Sequence, residues 1–221
     1  NPKVADHSKI RSRTAAIKAV ERALAWAKKY HTRVYFCHIS TKEEVELIKK
    51  AKDQGQTVYA EVTPHHLFLN QSAYQSLGSL AQVNPPLRAA EDNAVLWQAI
   101  LDGVIDTLGS DHAPHTLADK AKPYPQSPSG VPGIETTLPL LLNAWVNGKI
   151  TLEKIVALTR ANAEEIFRLP QNNDWVIIDP NLKKTVENKN LKTKCGWSPF
   201  AGQVLQGWPV GMVVNNQWYE S

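Results

Sequence analysis

The hydrophobic positions change period repeatedly along the first two thirds of the chain. In residues 11–30, Ala15, Ala16, Ala19, Val20, Ala23, Leu24 and Ala27 recur at helical spacing with Lys and Arg between them, which predicts an amphipathic helix. Residues 33–38 (RVYFCH) read as a short buried strand. Ser40 with Glu43 then gives a capping-box signature for a helix to about residue 54, closed by Gly55. The alternation recurs with a strand over 57–62, a loop holding a short helix, a helix from 91 to about 101, and a third strand over 104–108. A Pro- and Gly-rich loop covers 113–133 and a helix runs from 135 to about 146; loops of that length are usually functional.

Strands alternating with helices specify parallel βα units, in which chemistry collects at the carboxyl ends of the strands. His38, then Glu61 with His65 and His66, then Asp111 all fall at such ends. Three successive strands ending in ligand-capable residues point to the rim of a (β/α) barrel. Past Leu169 the texture changes to short apolar runs, WVII at 175–178 and Val213-Val214, among Asn, Lys, Gly and Pro. The expected organisation is an α/β portion over 1–168 and a small β-rich appendage over 169–221, without internal repeats.

Composition narrows the class. With 43% hydrophobic and 21% charged residues in 221, the chain is neither disordered nor membrane-embedded, and its longest apolar runs are too short to cross a bilayer. The net charge of +4 comes from 25 basic residues scattered along the chain, so no nucleic-acid-binding stripe is expected. Cys37 and Cys195 lie far apart with no secretory signal, which favours reduced thiols and a cytoplasmic setting. The start at Asn1 shows no targeting segment and lacks a Met, which suggests a fragment or a processed product.

Imidazole and carboxylate at strand ends suit a catalytic zinc, which keeps one position open for a water whose pKa it lowers. His38 fits a ligand, although a histidine after Val-Tyr-Phe-Cys is, taken alone, more often a core residue. Asp111 follows Gly109-Ser110 and could bind metal and shuttle a proton; the plain alternative is an Asx-turn. His112 reads as structural, while His115, four residues past Asp111, could reach over the site. His65 and His66 divide evenly between loop support and ligation. Cys37 and Glu61 are candidate extra ligands, but strand alternation turns both elsewhere. In NPPLR (84–88), Asn84 offers a donor and an acceptor to a polar ring, or forms a plain turn.

CHIST (37–41), EVTPHHLFL (61–69), NPPLR (84–88), GSDHAPHT (109–116) and GIETTLPLLLNA (133–144) occur in order, and together they resemble the dihydroorotases of the amidohydrolase superfamily over nearly the whole chain. The resemblance implies a zinc-dependent cyclic amidohydrolase that interconverts N-carbamoyl-L-aspartate and L-dihydroorotate in pyrimidine biosynthesis. His38 then matches a zinc ligand at the sixth barrel strand, and Asp111 the eighth-strand aspartate that binds zinc and handles the proton. Asn84 and His115 match residues that hold the substrate's ring and carboxylate, and Ser129-Gly130 match a loop that meets substrate through its backbone. Two zinc ions are implied for the intact site, and residues matching Cys37 and Glu61 join a further zinc site in some multidomain relatives. The implied partners are a small-molecule substrate, with homo-oligomerisation and association with an aspartate transcarbamoylase left open.

The departures from the family pattern are equally specific. The early His-x-His pair, a bridging carboxylated Lys or Asp, and a fifth-strand His are all absent, and only about three of eight barrel strands are present. The chain is therefore expected to be an incomplete (β/α)8 TIM-type barrel that cannot close or assemble the zinc site alone. A strand with a Gly-rich turn, usual between a Leu-Pro pair and an Asp, is also missing at LPQNNDWVIID (169–179). Two rivals remain: a hydantoinase or allantoinase acting on another cyclic amide, and a non-catalytic dihydroorotase-like scaffold.

Overall fold

The computed structural model describes residues 2–220, which form two compact units, one through Val131 and one from Pro132. The first unit is built on a three-stranded parallel sheet in the order β1 (Val34–Phe36), β2 (Val58–Val62), β3 (Thr107–Leu108). Ahead of β1 runs helix α1 (Arg13–Lys29), whose N-cap Ser12 accepts from the Ala15 amide and whose last turn carries Lys28 and Lys29 against the helix dipole. Val20, Leu24 and Ala27 form its buried stripe, as the spacing predicts.

Helix α2 (Lys42–Asp53) starts one residue later than its sequence signature suggests. Its capping box is Thr41 with Glu44 rather than Ser40 with Glu43. The buried Glu44 carboxylate accepts from the amides and hydroxyls of both Ser40 and Thr41, which leaves Glu43 free to pair with Arg13. Strand β2 buries Val58, Ala60 and Val62 on one face and leaves Tyr59 and Glu61 half-buried on the other. Helix α3 (Pro64–Phe68) follows at once, with Pro64 in its first turn and Thr63 as N-cap.

Helix α4 (Ala90–Leu101) leads into β3, and the unit's core gathers Ile48, Ala60, Val62, Leu96 and Ile100. The third strand is shorter than its apolar run. The amides of Val104 and Ile105 both turn back to the Ala99 carbonyl and close α4, so ladder pairing begins only where the Asp106 amide reaches the Ala60 carbonyl at 2.8 Å. The loop expected over 113–133 contains one turn of helix, α5 (Leu117–Lys120), capped by Thr116.

In the second unit, helix α6 (Ile134–Val146) buries Leu140, Leu141 and Leu142, and a helical segment from Leu152 to Phe167 is interrupted by a π turn over Ala157–Ala161. An antiparallel sheet then runs β4 (Trp175–Thr185), β5 (Val204–Val214), β6 (Gln217–Glu220). Asn215 and Asn216, both at positive φ, form the two-residue hairpin between the last two strands. Gly211 is required where it stands, because the Trp218 ring lies 2.1 Å from where its Cβ would be. The short apolar runs read from the sequence at 175–178 and 213–214 lie in these much longer strands, and the sheet belongs to the compact unit that begins at Pro132. No helix among the described residues is long and apolar enough to cross a membrane.

Candidate active site

Backbone conformation marks the two residues singled out as metal ligands. His38 (φ 42°) and Asp111 (φ 44°), just past the ends of β1 and β3, both occupy the left-handed region that side-chain-bearing residues avoid. Such conformations persist where surrounding structure imposes them, and they cluster at functional sites. For His38 one constraint is visible: its amide donates to Glu61 Oε1 at 3.2 Å, and the following Ile39 amide donates to the Glu61 carbonyl at 2.8 Å.

Glu61 is drawn into the strand-end cluster, contrary to the expectation from strand alternation. Its Oε2 accepts from the Tyr35 hydroxyl at 2.8 Å, and that hydroxyl also meets Thr107 Oγ1 at 2.6 Å. Gly109 makes the arrangement feasible, since a Cβ there would lie 2.4–2.7 Å from the carboxylate atoms of Glu61. Burial and the Glu61 charge push the Tyr35 hydroxyl above its ordinary pKa, so it stays protonated and able to donate. Partial shielding from solvent raises the neighbouring Cys37 thiol, with Glu61 and Asp111 adding to the shift, although the residue as a whole is exposed.

Burial also raises the Asp111 carboxyl, His38 opposes that shift and Glu61 adds to it, so His38, Glu61 and Asp111 share one electrostatic neighbourhood. The Nδ1 of His38 is buried and has no hydrogen-bond partner, and the same is true of His65 Nε2. The His65 atom lies 4.0 Å from Asp111 Oδ2. Burial, with His66 and His38 alongside, holds the His65 pKa well below its ordinary value, so its ring is neutral.

The adjacent histidines of TPHH therefore part company. His66 is a supporting residue, with Nδ1 bonded to Thr63 Oγ1 at 2.7 Å and Nε2 to the Pro85 carbonyl at 3.0 Å. His65 faces the candidate acid-base group instead.

The four substrate-contact candidates lie in the loops of the same unit. His115 Nε2 meets the Ser129 carbonyl at 3.1 Å, and Gly130, at φ 136°, packs so closely that a Cβ would sit 2.7 Å from Ala113 and 3.1 Å from His115 Nε2. The Gly130 amide donates to the Gln82 carbonyl at 2.8 Å, two residues before Asn84. Asn84 Oδ1 accepts from the buried His7 through Nε2 at 3.1 Å, and His7 Nδ1 meets the Tyr124 hydroxyl at 3.2 Å. His7 precedes every periodic segment, so no sequence pattern singled it out. A cavity of about 470 Å³ is lined by His38, Asn84, Arg88, Arg11 and Ser12, which places a candidate ligand and a candidate substrate contact in one space. The backbone of His112 forms an isolated parallel bridge with Val131.

As a donor set for zinc, these residues fit part of a site. His38 supplies an unpaired ring nitrogen and Asp111 a half-buried carboxylate, both types that zinc takes. Among the described residues no group of three or more His, Cys, Asp or Glu side chains is arranged to hold a metal ion.

No family model matches the chain. Among curated proteins it is 39% identical over 213 residues to a dihydroorotase of Methanosphaera stadtmanae, covering 93% of this chain and 49% of that protein. It is also 39% identical over 196 residues to the multifunctional protein pyr1-3 of Dictyostelium discoideum, covering 88% of this chain and 8% of that one. Among solved structures, dihydropyrimidinase from Brevibacillus agri superposes with a TM-score of 0.93 at 26% identity over 99% of this chain and 51% of that one. The inactive dihydroorotase-like domain of a Chaetomium thermophilum CAD-like multifunctional protein gives 0.72 at 28% identity, over 89% and 53%. The chain spans about half the length of the curated dihydroorotases it matches. At 37–39% identity over about nine tenths of its length, the chain is similar to about half of each of these dihydroorotases, which is consistent with a C-terminal part of such a protein.

Proposed function

We propose that the intact protein carrying this chain interconverts N-carbamoyl-L-aspartate and L-dihydroorotate, and that residues 1–168 are the last strands and helices of a (β/α)8 barrel with 169–221 as its appendage. The observation that carries the reading is the strand-end cluster, where His38 keeps an unpaired buried nitrogen beside Asp111 and Glu61. In this reading His38 and Asp111 would hold zinc, together with ligands outside this chain. A bound zinc supplies a Lewis acid for the ring carbonyl and lowers the pKa of attacking water.

The chain's own residues would do the rest. In the hydrolytic direction the Asp111 carboxylate accepts a proton from the attacking water as its oxygen bonds to the ring carbonyl carbon. Asp111 returns that proton to the ring nitrogen as the carbon–nitrogen bond breaks, and ring closure reverses both transfers. Asn84 and His115 would orient the ring and its carboxylate, with the Ser129–Gly130 backbone completing the contact.

The test is Asp111→Ala in the intact protein, which should abolish dihydroorotate turnover and leave the circular dichroism spectrum intact. Substantial remaining turnover overturns the assignment. The dihydropyrimidinase superposition favours a second reading, action on another cyclic amide. Preference for uncharged hydantoin-type rings over dihydroorotate would establish it. The likeness to an inactive dihydroorotase-like domain supports a third, a non-catalytic scaffold associating with an aspartate transcarbamoylase. Retention of His38 and Asp111 weighs against that one.

A further inference from the structure

Lys120 closes the one-turn helix α5 and is 1% exposed. Its Nζ donates to the Pro128 carbonyl at 2.9 Å, the Gly130 carbonyl at 3.0 Å and the Gln82 carbonyl at 3.3 Å. Burial lowers its pKa to about 8, so keeping this ammonium inside has a cost that the carbonyls must offset. The same carbonyls belong to the segments that carry the candidate substrate contacts.

Gln82 reinforces the arrangement from the other side. Its Nε2 donates to the Ser127 carbonyl at 2.8 Å and to Ser129 Oγ at 3.1 Å, while its Oε1 accepts from Ser127 Oγ at 2.7 Å. Ser79 Oγ donates to the Lys120 carbonyl, so both ends of the lysine are held. Gly130 is gripped three ways: its carbonyl by Lys120, its amide by Gln82, and its α-carbon by Ala113 and His115, which leave no room for a Cβ. Dispensing with the lysine would leave carbonyl groups facing inward without their charged donor.

We propose that Lys120 is a positioning residue, whose buried ammonium fixes the 128–130 segment against Gln82 so that Ser129 and Gly130 present one backbone conformation to the substrate. It touches no reacting atom and acts through the loop. The inference rests on the proposed amidohydrolase function only for which substrate is received; the anchoring itself is a property of the free protein.

The test uses the intact protein with Lys120→Met, which keeps the side chain's length and removes the charge, and Lys120→Gln, which restores a donor. Loss of a charge-assisted bond predicts amide hydrogen exchange at least about tenfold faster at Ser129, Gly130 and Val131 in K120M, with β2 amides unchanged and K120Q between the two. The same variant should raise KM for the ring substrate about tenfold while kcat changes by less than about threefold, the signature of lost positioning. Unchanged exchange in the loop overturns the proposal, as does acceleration shared equally by β2. A fall in kcat at constant KM overturns it too. If K120M does not fold, K120Q carries the same readouts. If the parent protein turns over no ring substrate, the functional reading fails, while the exchange result still decides the anchoring.

Discussion

His65 Nε2 stands 4.0 Å from Asp111 Oδ2, beyond hydrogen-bond length yet close enough for a small rotation to join them. Both partners of that pair are otherwise underused: the nitrogen is buried and unpaired, and the carboxyl is raised. His65→Ala in the intact protein should therefore lower kcat/KM for dihydroorotate about 10- to 100-fold, with His65→Gln retaining more activity through its amide donor. Steady-state kinetics beside a melting curve check this; full activity in the alanine variant would assign His65 to packing alone.

Gly109 and Glu61 are coupled by space. Adding a methyl group at 109 forces the Glu61 carboxylate from its bonds to Tyr35 and to the His38 amide. Gly109→Ala should destabilise the fold by about 1–3 kcal/mol, and Glu61→Ala in the same chain should recover part of that loss, giving a non-additive cycle. Urea midpoints of the two single variants and the double variant measure the coupling.

Asp92 joins three helices. Its oxygens accept from Arg13 Nη1 at 2.9 Å, Arg13 Nη2 at 2.5 Å, the Lys42 amide at 3.0 Å and the Ala89 amide at 3.1 Å. Burial alone would raise its carboxyl, but the Arg13 bonds and the Lys42 amide outweigh that and bring it below 3.8. A depressed folded-state pKa contributes stability that is present above the unfolded value and is lost as pH falls through the folded one. Asp92→Asn should cost about 2–4 kcal/mol at neutral pH. It should also flatten the loss of stability below about pH 4, measured as Tm against pH.

Zinc affinity should follow chain length. A four-coordinate zinc needs more donors than His38 and Asp111 supply. The 221-residue chain alone should bind zinc at least about 100-fold more weakly than the intact protein, and chelation should remove turnover from the latter without unfolding β1–β3. Competition with a chromogenic chelator gives the ratio.

Local rules made much of the first unit legible. The 3.6-residue stripe of α1 and the switch to short apolar runs locate helices and strands because each reports a face buried against a neighbour. The long strands of the second unit were visible only as fragments. Asp179 accepts from the amides of Asn181 and Leu182 and breaks the β4 ladder, and register shifts flank that turn, so polar and apolar positions lose their period of two. Motifs singled out His38 and Asp111, whereas His7, Gln82 and Lys120 act through contacts 8 to 117 residues away, which no local period records.

The left-handed backbone at His38 and Asp111 has an evolutionary consequence. Glycine would occupy either position without the roughly 1–3 kcal/mol that a strained side-chain-bearing residue costs. On the proposed reading, relaxed selection for turnover would let both sites gain stability by losing that chemistry, so a copy that becomes a scaffold would drift downhill. Histidine and aspartate still holding those two turns are a cost that the fold continues to bear.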